Sequence, residues 1–167
     1  MKPKKTNKIL YMLHELSHRE FESKVFFSFE FLKNNWKVYL LQRNFFFFNI
    51  KNLPPGVVVY KSAVPSDNLH FKKIKSAGHV LVCLDEESIA EFNSAHSINL
   101  KYGEEALKNL DLLVVSHNRS KKIILKKFPF LKTKIISCQH PRFDFIKYLY
   151  NSKDPISERI KKKYGRF

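Results

Sequence analysis

The chain has 167 residues, 44% of them apolar, which fits one domain with a sizeable core. Its 31 basic and 15 acidic residues give a net charge of +16, which attracts phosphorylated ligands, anionic lipid or nucleic acid. A lysine-rich solvated surface explains the same charge without any ligand. Because the lysines are scattered rather than collected in a dense block, we do not expect nucleic acid as the partner.

Two further features exclude classes of protein. Cys83 and Cys138 have no CxxC partner, which excludes the common zinc and redox motifs. Both lie in apolar, strand-like runs, so we expect buried free thiols in a reducing compartment. The N-terminal apolar run is broken by His14 and Glu15, and it is too short for a signal peptide or a membrane span. We therefore expect a cytoplasmic protein.

Apolar runs of strand length alternate with amphipathic stretches of helix length, the pattern of βαβ units around a parallel sheet. The first half predicts strands at 8–13, 36–41 and 57–60, and helices at 17–34 and 68–77, the latter ended by Gly78. Between them, four consecutive phenylalanines, 45–48, follow Arg43. Together with the many lysines they indicate contact with anionic lipid at the inner membrane surface, or core packing of at least two of the four.

The second half continues the alternation after a looser stretch at 88–101. It predicts strands at 79–84, 111–115 and 133–138, and helices at 103–110, 120–128, 143–150 and 155–163. The sequence thus predicts one α/β domain over residues 1–167. Its fold is Rossmann-like and doubly wound, with a mainly parallel six-stranded sheet and helices on both faces.

Polar residues are concentrated directly after the apolar strands. Ligands of open α/β sheets bind outside the carboxyl ends of the strands, so these residues are candidates for a binding site. The candidates are His14, Arg19, Glu20, Asp85, Glu86, His117, Arg142 and Asp144. We expect them on one edge of the sheet around a shared cleft. The alternative is that every strand has to end in polar loop residues, whatever the function.

Two common phosphate-binding motifs are missing, since neither GxGxxG after the first strand nor GxxxxGK[ST] occurs. We therefore do not expect a dinucleotide oxidoreductase or a P-loop enzyme. A helix N-terminus can still hold an anion, and Arg19 lies in the first turn of the first predicted helix. Pairing of Arg19 with Glu15 or Glu22 explains its position equally well.

The acidic run 85–87 can supply a general base or bind a divalent metal, or it can simply favour a helix N-terminus. No histidine is near enough in sequence for a metal signature, so we expect no metal site and no cofactor. The turn Pro141–Asp144 can aim Arg142 at an anion, with Arg142 paired to Asp144 and Phe143 anchored in the core. A rigid connection between strand and helix is the alternative.

Three segments resemble a family in their order and spacing. They are HREFESK at 18–24, VCLDEES at 82–88 and HPRFD at 140–144, the last followed by KYGRF at 163–167. The set is similar to bacterial surface carbohydrate biosynthesis proteins, glycosyltransferases of GT-B type distantly similar to the polyglycerol-phosphate transferases. The family pattern has an REF-containing helix, a DEEG cluster and GNPRFD before YGxF. This chain departs from it with Ser88 in place of glycine and with Gln139-His140 in place of Gly-Asn.

The resemblance implies two Rossmann-like domains, the N-terminal one for the acceptor and the C-terminal one for a nucleotide-sugar donor. It makes this chain the acceptor-side domain, with the donor domain absent and no activity alone. Asp85 or Glu86 would then be the general base, and the arginines would hold a glycan or phosphorylated acceptor. The alternative is a non-enzymatic basic α/β module that binds anionic lipid, a phosphorylated ligand or nucleic acid.

Overall fold

The computed structural model describes residues 8–15, 17–86, 98, 100–152, 158 and 162, and for residues 17–19 only the backbone. Six strands form one sheet: β1 Ile9–His14, β2 Lys37–Gln42, β3 Val57–Tyr60, β4 Val80–Leu84, β5 Leu112–Val115 and β6 Ile135–Ser137. The strand order is 2-1-3-4-5-6, and every neighbouring pair is parallel. The predicted Rossmann-like α/β class is therefore confirmed, and each predicted strand lies within two residues of an observed one.

Within the described residues, these α-helices accompany the strands: α1 Ser17–Lys33, α2 Arg43–Asn49, α3 Asn68–Ser76, α4 Glu104–Asn109, α5 Asn118–Lys127 and α6 Pro141–Asn151. Helix α2 was not predicted, because four adjacent phenylalanines carry no helical period. The helix expected at 155–163 lies outside the described residues, apart from residues 158 and 162, which are helical. None of the helices in the described part of the chain is long and apolar enough to cross a membrane.

The topology explains which helix lies on which face. Crossovers between parallel strands are right-handed, so connections that run toward opposite edges of the sheet lie on opposite faces. The step from β1 to β2 runs one way and carries α1, whereas all later steps run the other way and carry α2 to α5. The main core fills the α2–α5 face, with Tyr11, Phe46, Phe71, Leu107 and Ile124 among its buried members.

The opposite face is covered by α1 and by α6, which contacts α1. These two helices leave an apolar groove of about 660 Å³ over β3 to β6. Val57, Val59, Val82 and Leu84 line its floor, and Phe26 and Phe27 of α1 line its side. Cys138 also lines this groove and is exposed, so the expectation of two buried thiols is wrong for Cys138 and right for Cys83. Cys138 is exposed because β6 ends at Ser137, one residue before it.

Candidate functional site

The candidate site lies at the carboxyl edge of the sheet, where the strand order reverses between β1 and β3. The chain leaves β1 toward one face of the sheet and β3 toward the other, which opens a crevice at this edge. Glu15 follows β1, Lys61 follows β3, and Asp85 and Glu86 follow β4. The central strands thus deliver four ionisable side chains to the topological switch point.

Five residues form what we call the Glu86 cluster: Glu20 and Lys24 of α1, Glu86 after β4, and His140 and Arg142 at the start of α6. Lys24 Nζ lies 2.8 Å from Glu20 Oε2 and 3.0 Å from Glu86 Oε1. Arg142 Nη2 lies 3.2 Å from Glu86 Oε2. Both carboxylate oxygens of Glu86 are therefore engaged, one by a cation of α1 and the other by a cation of α6.

Lys24 contacts three oxygen atoms. Its ammonium donates hydrogen bonds to the backbone oxygen of Leu13 and to Glu20 Oε2, both at 2.8 Å, and it forms an ion pair with Glu86 Oε1. Lys24 thus holds Glu86 in place and joins α1 to the end of β1.

The carboxylate of Glu20 is fully buried beside Lys24. Burial alone raises the pKa of Glu20, but the hydrogen bond and charge of Lys24 outweigh burial. The backbone N–H of Glu15 and the charge of Lys61 add to this effect, and the pKa of Glu20 falls to about 2. Glu20 therefore stays charged at neutral pH and acts as a fixed counter-ion for Lys24.

The start of α6 differs from the rest of the cluster because it retains unused donors. His140 caps the helix: its Nδ1 accepts the backbone N–H of Arg142 at 3.1 Å. His140 Nε2 and Arg142 Nε are both buried, and neither has a hydrogen-bond partner in the part of the chain that the structure describes. The Arg142 side chain as a whole is 28% exposed, so solvent and solutes reach it.

A second charged group, the Glu15 bridge, lies beside the cluster. The two carboxylate oxygens of Glu15 contact Arg43 at the start of α2 and Lys61 after β3. Leu13 and Tyr60 complete the walls of a cavity of about 10 Å³ between these side chains, room for about one water molecule. The Glu15 bridge joins the ends of three strands and leaves no space for a larger ligand.

Asp85 is more deeply buried than the sequence predicts for a catalytic base. Its carboxylate accepts a hydrogen bond from the Tyr102 hydroxyl, and Lys101 Nζ lies 3.6 Å away. All three residues are buried. The Glu86 side chain is also largely buried, but it lies beside the partly exposed Arg142 and is therefore the better placed of the two predicted carboxylates.

The other predicted site residues are dispersed along the same edge. His14 packs edge-on against Phe21, and His117 is exposed before α5 without a side-chain cap bond. Asp144 is exposed and lines the apolar groove. The side chain of Arg19 lies outside the described residues. No group of metal-ligating side chains is found among the residues that the structure describes.

The turn before α6 is built differently from the prediction. Arg142 contacts Glu86, and no pair with Asp144 is found within the described ranges. Phe143 is only half-buried, whereas His140 is 4% exposed and anchors the turn. The reason is that His140 precedes the first turn and points its ring inward as the cap, while every residue of α6 keeps some exposure.

Sequence reasoning missed Lys24, Arg43 and Lys61 as members of the site. Lys24 follows Glu20 by four residues, a spacing that places both on one face of a helix and marks the pair. Lys61 comes after β3, just as Glu86 comes after β4. The rule that polar residues after the strands are candidates for a binding site therefore also applies to Lys61. Arg43 carried no such signal, because α2 itself was not predicted.

No protein-family model, no curated protein and no solved structure matches the chain. The resemblance to surface carbohydrate biosynthesis proteins stays a prediction.

Proposed function

We propose that this chain is the acceptor-side domain of a glycosyltransferase of bacterial surface polysaccharide synthesis, and that Arg142 binds a phosphorylated or acidic acceptor. All three resembling segments contribute to the Glu86 cluster: Glu20 and Lys24 come from HREFESK, Glu86 from VCLDEES, and His140 and Arg142 from HPRFD. The observation that carries the proposal is the position of Arg142. It lies at the switch point with an unused guanidinium N–H, beside a carboxylate.

In the reaction that the resemblance implies, Glu86 takes the proton of the acceptor hydroxyl. The hydroxyl oxygen forms the glycosidic bond to the anomeric carbon, and the nucleotide leaves. A carboxylate held by two cations is a poor base, so one of its contacts has to be released. An anionic acceptor on Arg142 competes with Glu86 Oε2 for the guanidinium and frees that oxygen, whereas Lys24 keeps hold of Oε1.

Transfer also needs a bound donor, and the resemblance assigns the nucleotide-sugar site to a second domain. We therefore expect this chain alone to bind an acceptor without transferring sugar to it.

The test is phosphate binding measured by isothermal titration calorimetry at low ionic strength. We expect saturable binding to the wild type and at least a tenfold weaker affinity for Arg142→Gln. Lys126→Gln removes the same charge from the exposed C-terminal end of α5, at the opposite edge of the sheet, and serves as the control. Equal weakening by both substitutions would assign the binding to net charge and overturn the proposal.

A second candidate function, contact with a membrane surface, is favoured by helix α2. Phe46 is fully buried and Phe47 packs against the core, but Phe45 is 55% exposed and Phe48 is 90% exposed. Two exposed phenylalanines on a chain of net charge +16 suit an interface with anionic lipid.

A further inference from the structure

His140 performs two chemically distinct tasks with its two ring nitrogens. Nδ1 accepts the Arg142 N–H and so carries no proton, which leaves the proton of the neutral ring on Nε2. Burial lowers the pKa of His140. The negative charge of Glu86 opposes this effect and the positive charge of Arg142 adds to it, and the pKa remains below its ordinary value, so the ring is neutral at pH 7. The cap therefore fixes an Nε2–H donor, and that atom is buried without an acceptor among the described residues.

The surroundings of the His140 ring are charged, since Glu86, Arg142, Lys24 and Asp85 all act on it electrostatically. Lys24 and Arg142 already engage the two carboxylate oxygens of Glu86. A buried donor that finds no acceptor is unfavourable, so a ligand oxygen that accepts its hydrogen bond gains affinity.

We propose that His140 Nε2–H donates a hydrogen bond to an oxygen of the phosphate group that Arg142 binds, and so selects ligands that present an acceptor there. This inference rests on the proposed acceptor site at Arg142. The ligand meets Arg142 first, because that side chain is the more exposed. When a phosphate oxygen replaces Glu86 on the guanidinium, a neighbouring oxygen of the same group comes within reach of His140, two residues away.

Two substitutions separate the tasks of the ring. His140→Asn keeps an oxygen that caps the Arg142 N–H, and its amide N–H groups end one bond short of the former Nε2, so the donor at that position is lost. His140→Gln places an amide N–H near the former Nε2 and weakens the cap. With inorganic phosphate as the probe, we expect His140→Asn to bind about tenfold more weakly than the wild type and His140→Gln to bind within about threefold of it. A purely structural role predicts the reverse order.

Nitrogen-15 NMR of the imidazole gives a readout that folding alone does not change. We expect the wild-type ring to show a protonated Nε2 and an unprotonated Nδ1, with phosphate shifting mainly the Nε2 signal. A protonated Nδ1, or wild-type affinity in His140→Asn, would overturn the role of His140 while leaving the site at Arg142 intact. Failure of the wild type to bind phosphate, or unaltered binding in Arg142→Gln, would instead overturn the site.

Phosphate groups occur on soluble sugars and on lipids, and a second arm of the experiment separates these sources. Glycerol 3-phosphate represents the soluble group, and phosphatidylglycerol vesicles represent the lipid headgroup. We expect His140→Asn to weaken binding of glycerol 3-phosphate and to leave vesicle binding unchanged. The opposite pattern would contradict a soluble phosphorylated acceptor at His140.

Discussion

Lys24 of α1 and Glu86 after β4 form an ion pair of 3.0 Å that joins the helix on one face of the sheet to the carboxyl edge of its central strand. The two residues are far apart in the sequence, at positions 24 and 86. Both side chains are largely buried, so the pair lies in a less polar environment than surface ion pairs do. The loss of either partner removes one of two charged contacts from the other, since Lys24 also pairs with Glu20 and Glu86 also pairs with Arg142.

We predict that Glu86→Gln lowers the free energy of unfolding by about 3 kcal/mol, because Lys24 and Arg142 both lose a charged partner. Urea unfolding monitored by circular dichroism measures the change. Glu30→Gln is the matched control, since Glu30 pairs with Lys33 on the exposed side of α1 and should cost less than about 1 kcal/mol. Equal losses in the two variants would show that the Glu86 pairs contribute no more than surface pairs.

The pH dependence of stability should carry the signature of Glu20. The pKa of Glu20 is about 2 in the folded chain against an ordinary value of 4.5. As the pH falls, the Glu20 carboxylate is therefore protonated in the unfolded chain before it is protonated in the folded chain. The stabilisation is complete above about pH 4.5 and is lost as the pH falls toward 2, on the order of 3 kcal/mol in all. Urea unfolding of the wild type and Glu20→Gln between pH 6 and 3 tests this. The difference between them should shrink below pH 4.5, and a constant difference would contradict the prediction.

The two thiols should react at very different rates in the folded chain. Cys138 is exposed and Cys83 is fully buried, so a chromogenic disulfide reagent should modify one thiol before unfolding and both after it. Burial raises the pKa of Cys138, and the negative charge of Asp144 adds to the rise. Asp144→Asn should therefore speed the reaction of Cys138 at pH 7 by roughly twofold. The same acceleration in Glu104→Gln, on the exposed face of α4, would remove Asp144 as the cause.

Membrane contact through α2 should depend on its exposed phenylalanines. The double variant Phe45→Ala/Phe48→Ala should co-sediment with phosphatidylglycerol vesicles about tenfold less, because two aromatic side chains no longer enter the interface. Phe130→Ala is the control, since Phe130 is also partly exposed but lies after α5. Wild-type binding that is as strong on neutral phosphatidylcholine, or an equal loss in Phe130→Ala, would contradict the prediction.

The sequence by itself determined the strands, their alternation with helices and the polar character of the strand ends. These are local properties: a run such as Val57–Tyr60 is apolar over strand length, and Gly78 with its positive φ ends α3 without help from the rest of the chain. Helix α2 could not be predicted in this way, because its phenylalanines are adjacent in the sequence. Only the packing of α2 against the sheet buries Phe46 and leaves Phe48 exposed.

Only the tertiary structure decided which polar residues meet. The order 2-1-3-4-5-6 brings the ends of β1, β3 and β4 together, so that Lys24, Glu86 and Arg142 become partners although no local pattern links them. The tertiary structure also buries Asp85 beside Tyr102 and places Asp144 at the apolar groove. It makes His140 the cap of α6 and leaves His140 Nε2 without a partner among the described residues. Charges separated by tens of residues interact only after crossovers of fixed hand have placed them at one edge, and that placement depends on the packing of the whole sheet.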